Sequence, residues 1–577
     1  MRLLSARLLA SAAVIVSFAA PLWAEANPGA YLAARSAAFD RNYAEAAVWF
    51  GVALQDDPEN IGLLEGVLQS RLGLGDFAGA QTVAEKLVAA GQAGQGAPIA
   101  LTVLRADAGD FDAILADTSG AGVSALYDLL TKAWAEVGNG RMTEALALFD
   151  DITKSPGLEA FGLYHRALAL ASVGDYEGAE AILSGKTNGP INLMQRGVIA
   201  RVQILSQLER NPDALALLDQ VFGTEPDPTI DALRARLRAG EPIPYDITRN
   251  ARDGLAEVMF TIAGALNAEA DDTFTLVYAR AAAHLRPDNT EAVLLVAGLL
   301  DNLGQYDLAA STFAEIAPVD PVYYVAEIGR ANALLQAGKD EAAREALQAL
   351  SRSNPDVVAV HMALADSLRR AERFAEAVVS YDAALALISA PQPVHWPIFY
   401  SRGVSHERTG NWAAAEADFR TALKLNPDQP QVLNYLGYSF VDRGENLTEA
   451  LTLIEKAVAL DPDAGYIIDS LAWAYYRLGR YSDAVAPMEK ASLLEPVDPV
   501  VTDHLGDVYW AAGRTLEAQF QWRRALSFDP AEKDAARIRR KLEVGLDAVR
   551  AAEGVAPIAP VTAADDPAKA APATDDN

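Results

Sequence analysis

Cysteine does not occur anywhere in the 577 residues. That excludes disulfides, thiolate metal ligands, a cysteine nucleophile and a lipid-bearing N-terminal cysteine, so packing alone must hold the chain together. Histidine is scarce too. The six residues, His165, His284, His361, His395, His406 and His504, include no pair at the helical spacing of a zinc motif. Neither a metal site nor any other cofactor is expected. A glycine-rich phosphate loop followed by Lys-Ser/Thr is also missing. Basic residues are few: 48 against 78 acidic, for a formal net charge of -30. Such a balance repels phosphate backbones, which argues against nucleic acid and against an anionic membrane surface as partners.

Long apolar runs are confined to the N-terminus. Arg2 and Arg7 give it a positive start, Leu8 to Ala20 is apolar apart from Ser11 and Ser17, and Pro21 is followed by small residues at Ala24 and Ala26. This is the pattern of a cleaved export signal over residues 1–24, with cleavage after Ala24 or Ala26. An uncleaved membrane anchor is the alternative, for which the run is short. The expected location is a bacterial periplasm, or secretion beyond it, with no membrane span after cleavage.

What the chain does have is repetition. Pro462, Pro496 and Pro530 fall 34 residues apart, as do Pro287, Pro321 and Pro355. Between Pro462 and Pro496, Ile468, Leu471, Ala472 and Tyr475 form one helical stripe, and Ala484, Met488 and Ala491 a second. Gly479 between them suits the left-handed residue that ends a helix. Small residues at Ala472 and Ala484 let two helix axes approach to roughly 8–10 Å. Leu505, Gly506, Tyr509, Gly513, Ala518, Trp522 and Ala525 repeat the pattern, as do Phe399, Gly403, Gly410, Trp412, Ala415, Phe419 and Ala422. Upstream, Ala297, Gly304, Tyr306, Ala309 and Phe313 match, and so do Tyr43, Ala46, Phe50, Ala53 and Pro58. Neither helix of such a unit can bury its stripe alone, so units must stack.

The pattern resembles the tetratricopeptide repeat family. Units start near residues 27, 61, 126, 160, 195, 256, 290, 324, 358, 396, 430, 465 and 499, with degenerate slots near 95 and 225. The resemblance implies an all-α, right-handed superhelical solenoid of antiparallel helix pairs. The expected blocks are 27–237 and 256–530, joined at 238–255 by a proline-bearing stretch, Arg238 to Asn250. Gly91 to Pro98 reads as a loop and Ser389 to Pro397 as a short insertion. One extra residue lies near Glu445 to Leu447, and Pro487 should kink its helix. Residues 531–554 read as an amphipathic helix capping the last open stripe, and 555–577, rich in Ala, Pro and Asp, as a disordered tail.

No catalytic constellation accompanies the repeats, and an enzyme is not expected. Gly403 to Glu407, "GVSHE", lacks the closing glycine of a nucleophile elbow and lies in a repeat's first helix. A second stripe remains on each first helix, at i, i+4 and i+7. In the resembling family these offsets line a concave groove that binds extended peptides or partner helices. They place Tyr400, Asn434, Tyr438, Asp469, Trp473, Tyr476, Asp503, Asp507 and Trp510 along one aromatic and acidic trough. Basic or neutral protein segments are its natural ligands. The other readings open at this point are inter-repeat packing by Trp473, Tyr476 and Trp510, and a trough filled by the protein's own tail. Asn434 to Tyr481 is also similar to the C-terminal repeats of bacterial envelope proteins. Some of those are adaptors that present cell-wall hydrolases to a periplasmic carboxyl-terminal processing protease, although they carry the lipid-bearing cysteine missing here. The resulting expectation is a periplasmic scaffold or adaptor. The alternative is a structural subunit of an outer-membrane secretion or polysaccharide-export machine.

Overall fold

A computed structural model describes residues 28–117, 122–187, 189, 191–223, 227–267 and 271–555. The expected signal and residues 556–577 of the expected tail lie outside the described residues. Among the described residues every regular element is helical: 31 α-helices and one 3-10 turn, Pro393–His395. Asn and Asp side chains start many of the helices. Asn60 accepts the Leu63 N–H at 3.2 Å, and Asp76 and Asp175 accept those of Gly79 and Gly178 at 2.8 and 2.9 Å.

The repeat phase read from the prolines is the packing phase. Ala472, Ala484, Met488 and Ala491 are buried, and so are their equivalents Ala415, Phe419, Ala422, Ala518, Trp522 and Ala525. Gly479 has φ 76°, as a left-handed helix end requires. The extra residue near Glu445 is absorbed by Asn446, which is left-handed at φ 46° immediately before the helix Leu447–Leu460. Pro487 lies inside the helix Tyr481–Leu494, which runs on for two turns beyond it.

The described residues divide, between 353 and 354, into two compact units. The stretch 238–250 lies within the first unit. It is non-helical yet fastened. Ile243 N–H donates to Ser206 Oγ at 2.9 Å, Gln207 Nε2 to the Ile243 carbonyl at 2.6 Å, and Asp246 and Gln203 exchange hydrogen bonds at 2.7 and 3.1 Å.

Beyond this strap, the helices Ala251–Leu266 and Asp272–Leu285 turn back onto the preceding repeats of the same unit. The first packs on Ala125–Gly138 and Glu159–Ser172, the second on Ile61–Leu74 and Gly96–Ala108, all of them first helices of their pairs. Ala251–Leu266 is buried on nearly every side. A Cβ at Gly254 would lie 2.0 Å from the Trp134 ring, so only glycine allows the approach. Arg252 and His284 both bind Asp107, at 2.6 and 2.7 Å, and Arg280 reaches the Gly73 carbonyl at 3.1 Å. The groove side of the N-terminal repeats is thus filled by the chain itself.

In the second unit, the helices Trp396–Arg408, Pro430–Arg443, Gly465–Arg477 and Pro499–Ala511 are the first helices of successive pairs. "GVSHE" lies within the first of them. Two final helices, Glu532–Val544 and Leu546–Ala552, close the array, and Ile538 and Leu546 join the core around Trp522. As a cap they are incomplete. Leu516 and Phe520 on the last second helix stay 63 % and 59 % exposed.

Candidate partner-binding groove

The groove stripe of the second unit divides into two stretches. In the upstream stretch Tyr400 is half-buried, and its ring packs against Trp396, Phe419 and Tyr435 at centroid distances of 6.2, 6.1 and 5.9 Å. Asn434 is 8 % exposed, and its buried Oδ1 has no hydrogen-bond partner. One helical turn on, Tyr438 is half-buried. Burial, with Asp469 and Asp442 nearby, pushes its hydroxyl up to about 12.

At the centre, Asp469 holds His504 Nδ1 at 3.0 Å. Trp473 stacks on His504 at 4.0 Å and on Tyr476 at 4.7 Å, each pair inclined by only 15°. Burial opposes charge on His504, but Asp469, backed by Asp503 and Asp507, outweighs it and raises the imidazole above its ordinary pKa. Trp473 therefore packs between successive repeats.

The downstream stretch is covered. Lys541, its side chain fully buried, donates to Asp503 at 2.7 and 2.8 Å and to Asp507 at 2.6 Å. Arg537 stands 3.9 Å from Asp503 and 3.5 Å from Asp507. Trp522 Nε1 donates to Asp507 at 2.9 Å, so this carboxylate serves the core as well as the groove. Trp510 Nε1 donates to Asp547 at 2.9 Å, and Arg550 donates to the Tyr476 hydroxyl at 2.6 Å. Tyr476, Asp503, Asp507 and Trp510 thus take their partners from the final helices. For these four, the expectation of an open trough is corrected. Two carboxylates brought together out of water need cations, and residues 537 and 541 supply them.

Sequence reasoning passed over those cations, and His504, Asp547 and Arg550 with them. A signal was present: Arg537 and Lys541 repeat the i, i+4 spacing of Asp503 and Asp507 with opposite charge. Other ionisable clusters are structural. His165 is fully buried, accepts the Trp134 indole N–H at 3.1 Å and is pushed down to about 3 by burial, which keeps it neutral. In the first unit Glu257 receives the Tyr164 hydroxyl and Arg196, each at 2.8 Å, tying the turned-back helix to its repeats. Among the described residues, no group of three His, Cys, Asp or Glu is placed to hold a metal ion, and no helix is long and apolar enough to cross a membrane.

Family models described as tetratricopeptide repeat match residues 130–185, 328–392 and 400–465, and a second such model matches 466–492. TPR repeat-containing protein PA4667 of Pseudomonas aeruginosa is 30% identical over 177 residues, covering 30% of this chain and 29% of that protein. Superkiller complex protein 3 of Mus musculus is 36% identical over 85 residues, 15% of this chain and 5% of its own. The chain therefore spans less than a third of the length of either relative. Among solved structures, one of the APC/C hetero-tetramer Cut9–Hcn1 aligns over 90% of this chain and 96% of its own, at 17% identity and TM-score 0.38. YrrB, described as a TPR protein with an unusual peptide-binding site, aligns over 34% and 99%, at 18% identity and TM-score 0.27. Residues 130–185, 328–392 and 400–492 thus carry tetratricopeptide repeats.

Proposed function

We propose that the protein is a non-enzymatic periplasmic scaffold that binds segments of other proteins in the upstream stretch of its C-terminal groove. The observation that carries this reading is Asn434. It lies one helical turn from the half-buried Tyr438 ring, where the part of Asn434 that stays exposed can pair with a partner's backbone and the ring offers contact area at low entropy cost. Tyr400 flanks the same stretch one repeat earlier, and Asp469 one repeat later. The excess of acidic residues favours basic or neutral segments. Envelope proteins brought to a protease or to an assembly complex are the partners that this reading, and the similarity of Asn434 to Tyr481 to envelope adaptors, favours.

The test is a peptide-display selection on the full mature chain, followed by titration of the selected peptides against Asn434→Ala and Tyr438→Ala variants. Affinity should fall at least about tenfold, the loss of one good buried contact, under conditions where the urea profile shows each variant fully folded. Unchanged affinity in both variants would remove the upstream groove as the binding site. The location is tested separately by sequencing the N-terminus of the protein from a periplasmic fraction, which should begin after Ala24 or Ala26. Retention of residues 1–24 would contradict it.

A further inference from the structure

The final helices are attached unlike the rest of the array. Pro499–Ala511 buries eight residues, seven of them uncharged. Glu532–Val544 buries only Ala535, Ile538 and Lys541, and Leu546–Ala552 only Leu546 and Val549. What orients the pair is polar: Lys541 and Arg537 over Asp503 and Asp507, Asp547 under the Trp510 indole, and Arg550 against Tyr476, whose ring lies 5.5 Å from the guanidinium carbon. The fit is also incomplete, because Asp507 Oδ2 is buried without a hydrogen-bond partner and Arg537 stands 3.5 Å away. Two helices that leave Leu516 and Phe520 bare while bringing cations into the groove behave as a ligand more than as a lid.

We propose that the groove formed by Tyr476, Asp503, Asp507 and Trp510 is a docking surface for an amphipathic helix bearing basic residues at i and i+4, and that residues 532–552 are its resident, displaceable occupant. The pairing rule is geometric. Asp503 and Asp507 lie one helical turn apart, at i and i+4, and a ligand helix matches that interval with cations at i and i+4, as Arg537 and Lys541 do. A further cation beyond them stacks on Tyr476, as Arg550 does. Apolar peptides and acidic helices cannot compensate the two carboxylates and are excluded. The inference rests on the reading of the C-terminal groove as a binding surface and adds the class of partner and the competition for it.

The experiment uses the full mature chain and, as probe, a fluorescein-labelled synthetic peptide of residues 531–553. Wild-type chain should bind it weakly, because the site is occupied in cis. The Arg537→Ala/Lys541→Ala chain keeps the groove acids and loosens the occupant. It should bind the probe at least about tenfold more tightly, with affinity falling as salt is added. Adding Asp503→Asn/Asp507→Asn to that chain should abolish the gain. Hydrogen exchange at 532–552 shows whether the occupant has been loosened and reads the fold of 396–511 at the same time. If the occupant is loosened, the array remains protected and the probe still binds no better than to wild type, the proposal is overturned. It is overturned equally if 532–552 stays protected after both cations are removed, since those contacts then do not hold it. Peptides selected against Asn434 and Tyr438 report on the upstream groove, so its failure and the failure of this site are separable.

Discussion

A Cβ added at Gly506 would lie 2.4 Å from the Trp522 ring, which is fully buried and tied to Asp507. Gly506→Ala should therefore cost about 1–3 kcal/mol, measured as a urea midpoint. An unchanged midpoint would mean that Trp522 can move. Trp473 fills the space between His504 and Tyr476, and Trp473→Ala should cost about 3 kcal/mol, the low end for a large aromatic because the ring is only half-buried. Loss of affinity in that variant would accompany loss of stability. His504 carries a pH signature. Its folded pKa is raised above 6.5 by Asp469 against the opposing effect of burial, so the charged imidazole favours the folded state. That contribution is complete below about pH 6.5 and is lost as pH rises through the raised pKa. Urea midpoints of the wild type should decline over this window more than those of His504→Gln; parallel profiles would count against the Asp469 pairing.

At the scale of elements, the repeat phase was legible because it follows from packing. A small residue on one helix, a large one on the next and a helix stop recur only if the same contacts recur, as Ala484, Met488 and Pro496 do with Ala518, Trp522 and Pro530. The destinations of two elements were not legible. Ala251–Leu266 sits in register as an ordinary first helix, but its sequence has only Arg252, Asp253 and Glu257 as charges in sixteen residues. An apolar face all round is the mark of a helix surrounded by protein. Its anchor is the Arg196–Glu257 pair, both side chains at most 10% exposed. Glu257→Ala should leave Arg196 with Glu291 alone, at 3.4 Å, and cost about 3 kcal/mol of the first unit's stability, the low end for a broken buried pair, read as early exchange of the helix at 251–266. Exchange no faster than in the wild type would show that apolar packing alone keeps it in place. The final helix pair was equally ambiguous, because an amphipathic helix can bury the same Ile538 whether it covers the end of an array or enters its groove. Only the charge spacing at Arg537 and Lys541 distinguishes the two placements.

For the molecule as a whole, self-occupancy decides which surface is left for partners. The first unit's repeats hold the chain's own helices Ala251–Leu266 and Asp272–Leu285, and the downstream C-terminal groove holds residues 532–552. The upstream stretch from Tyr400 to Tyr438 keeps the half-buried Tyr438 ring beside the exposed part of Asn434. Of the nine trough residues, the register was legible in the sequence, since it is fixed by helical periodicity. Occupancy was not, since it depends on segments far away along the chain. The most direct measurement is site-specific photocrosslinking in cells, with benzoylphenylalanine placed at Tyr438 and, as a control, at Val379, which is 68 % exposed on a second helix. Adducts with protein partners from position 438 and none from 379 are expected. Adducts from 379 with none from 438 would contradict a groove-binding scaffold.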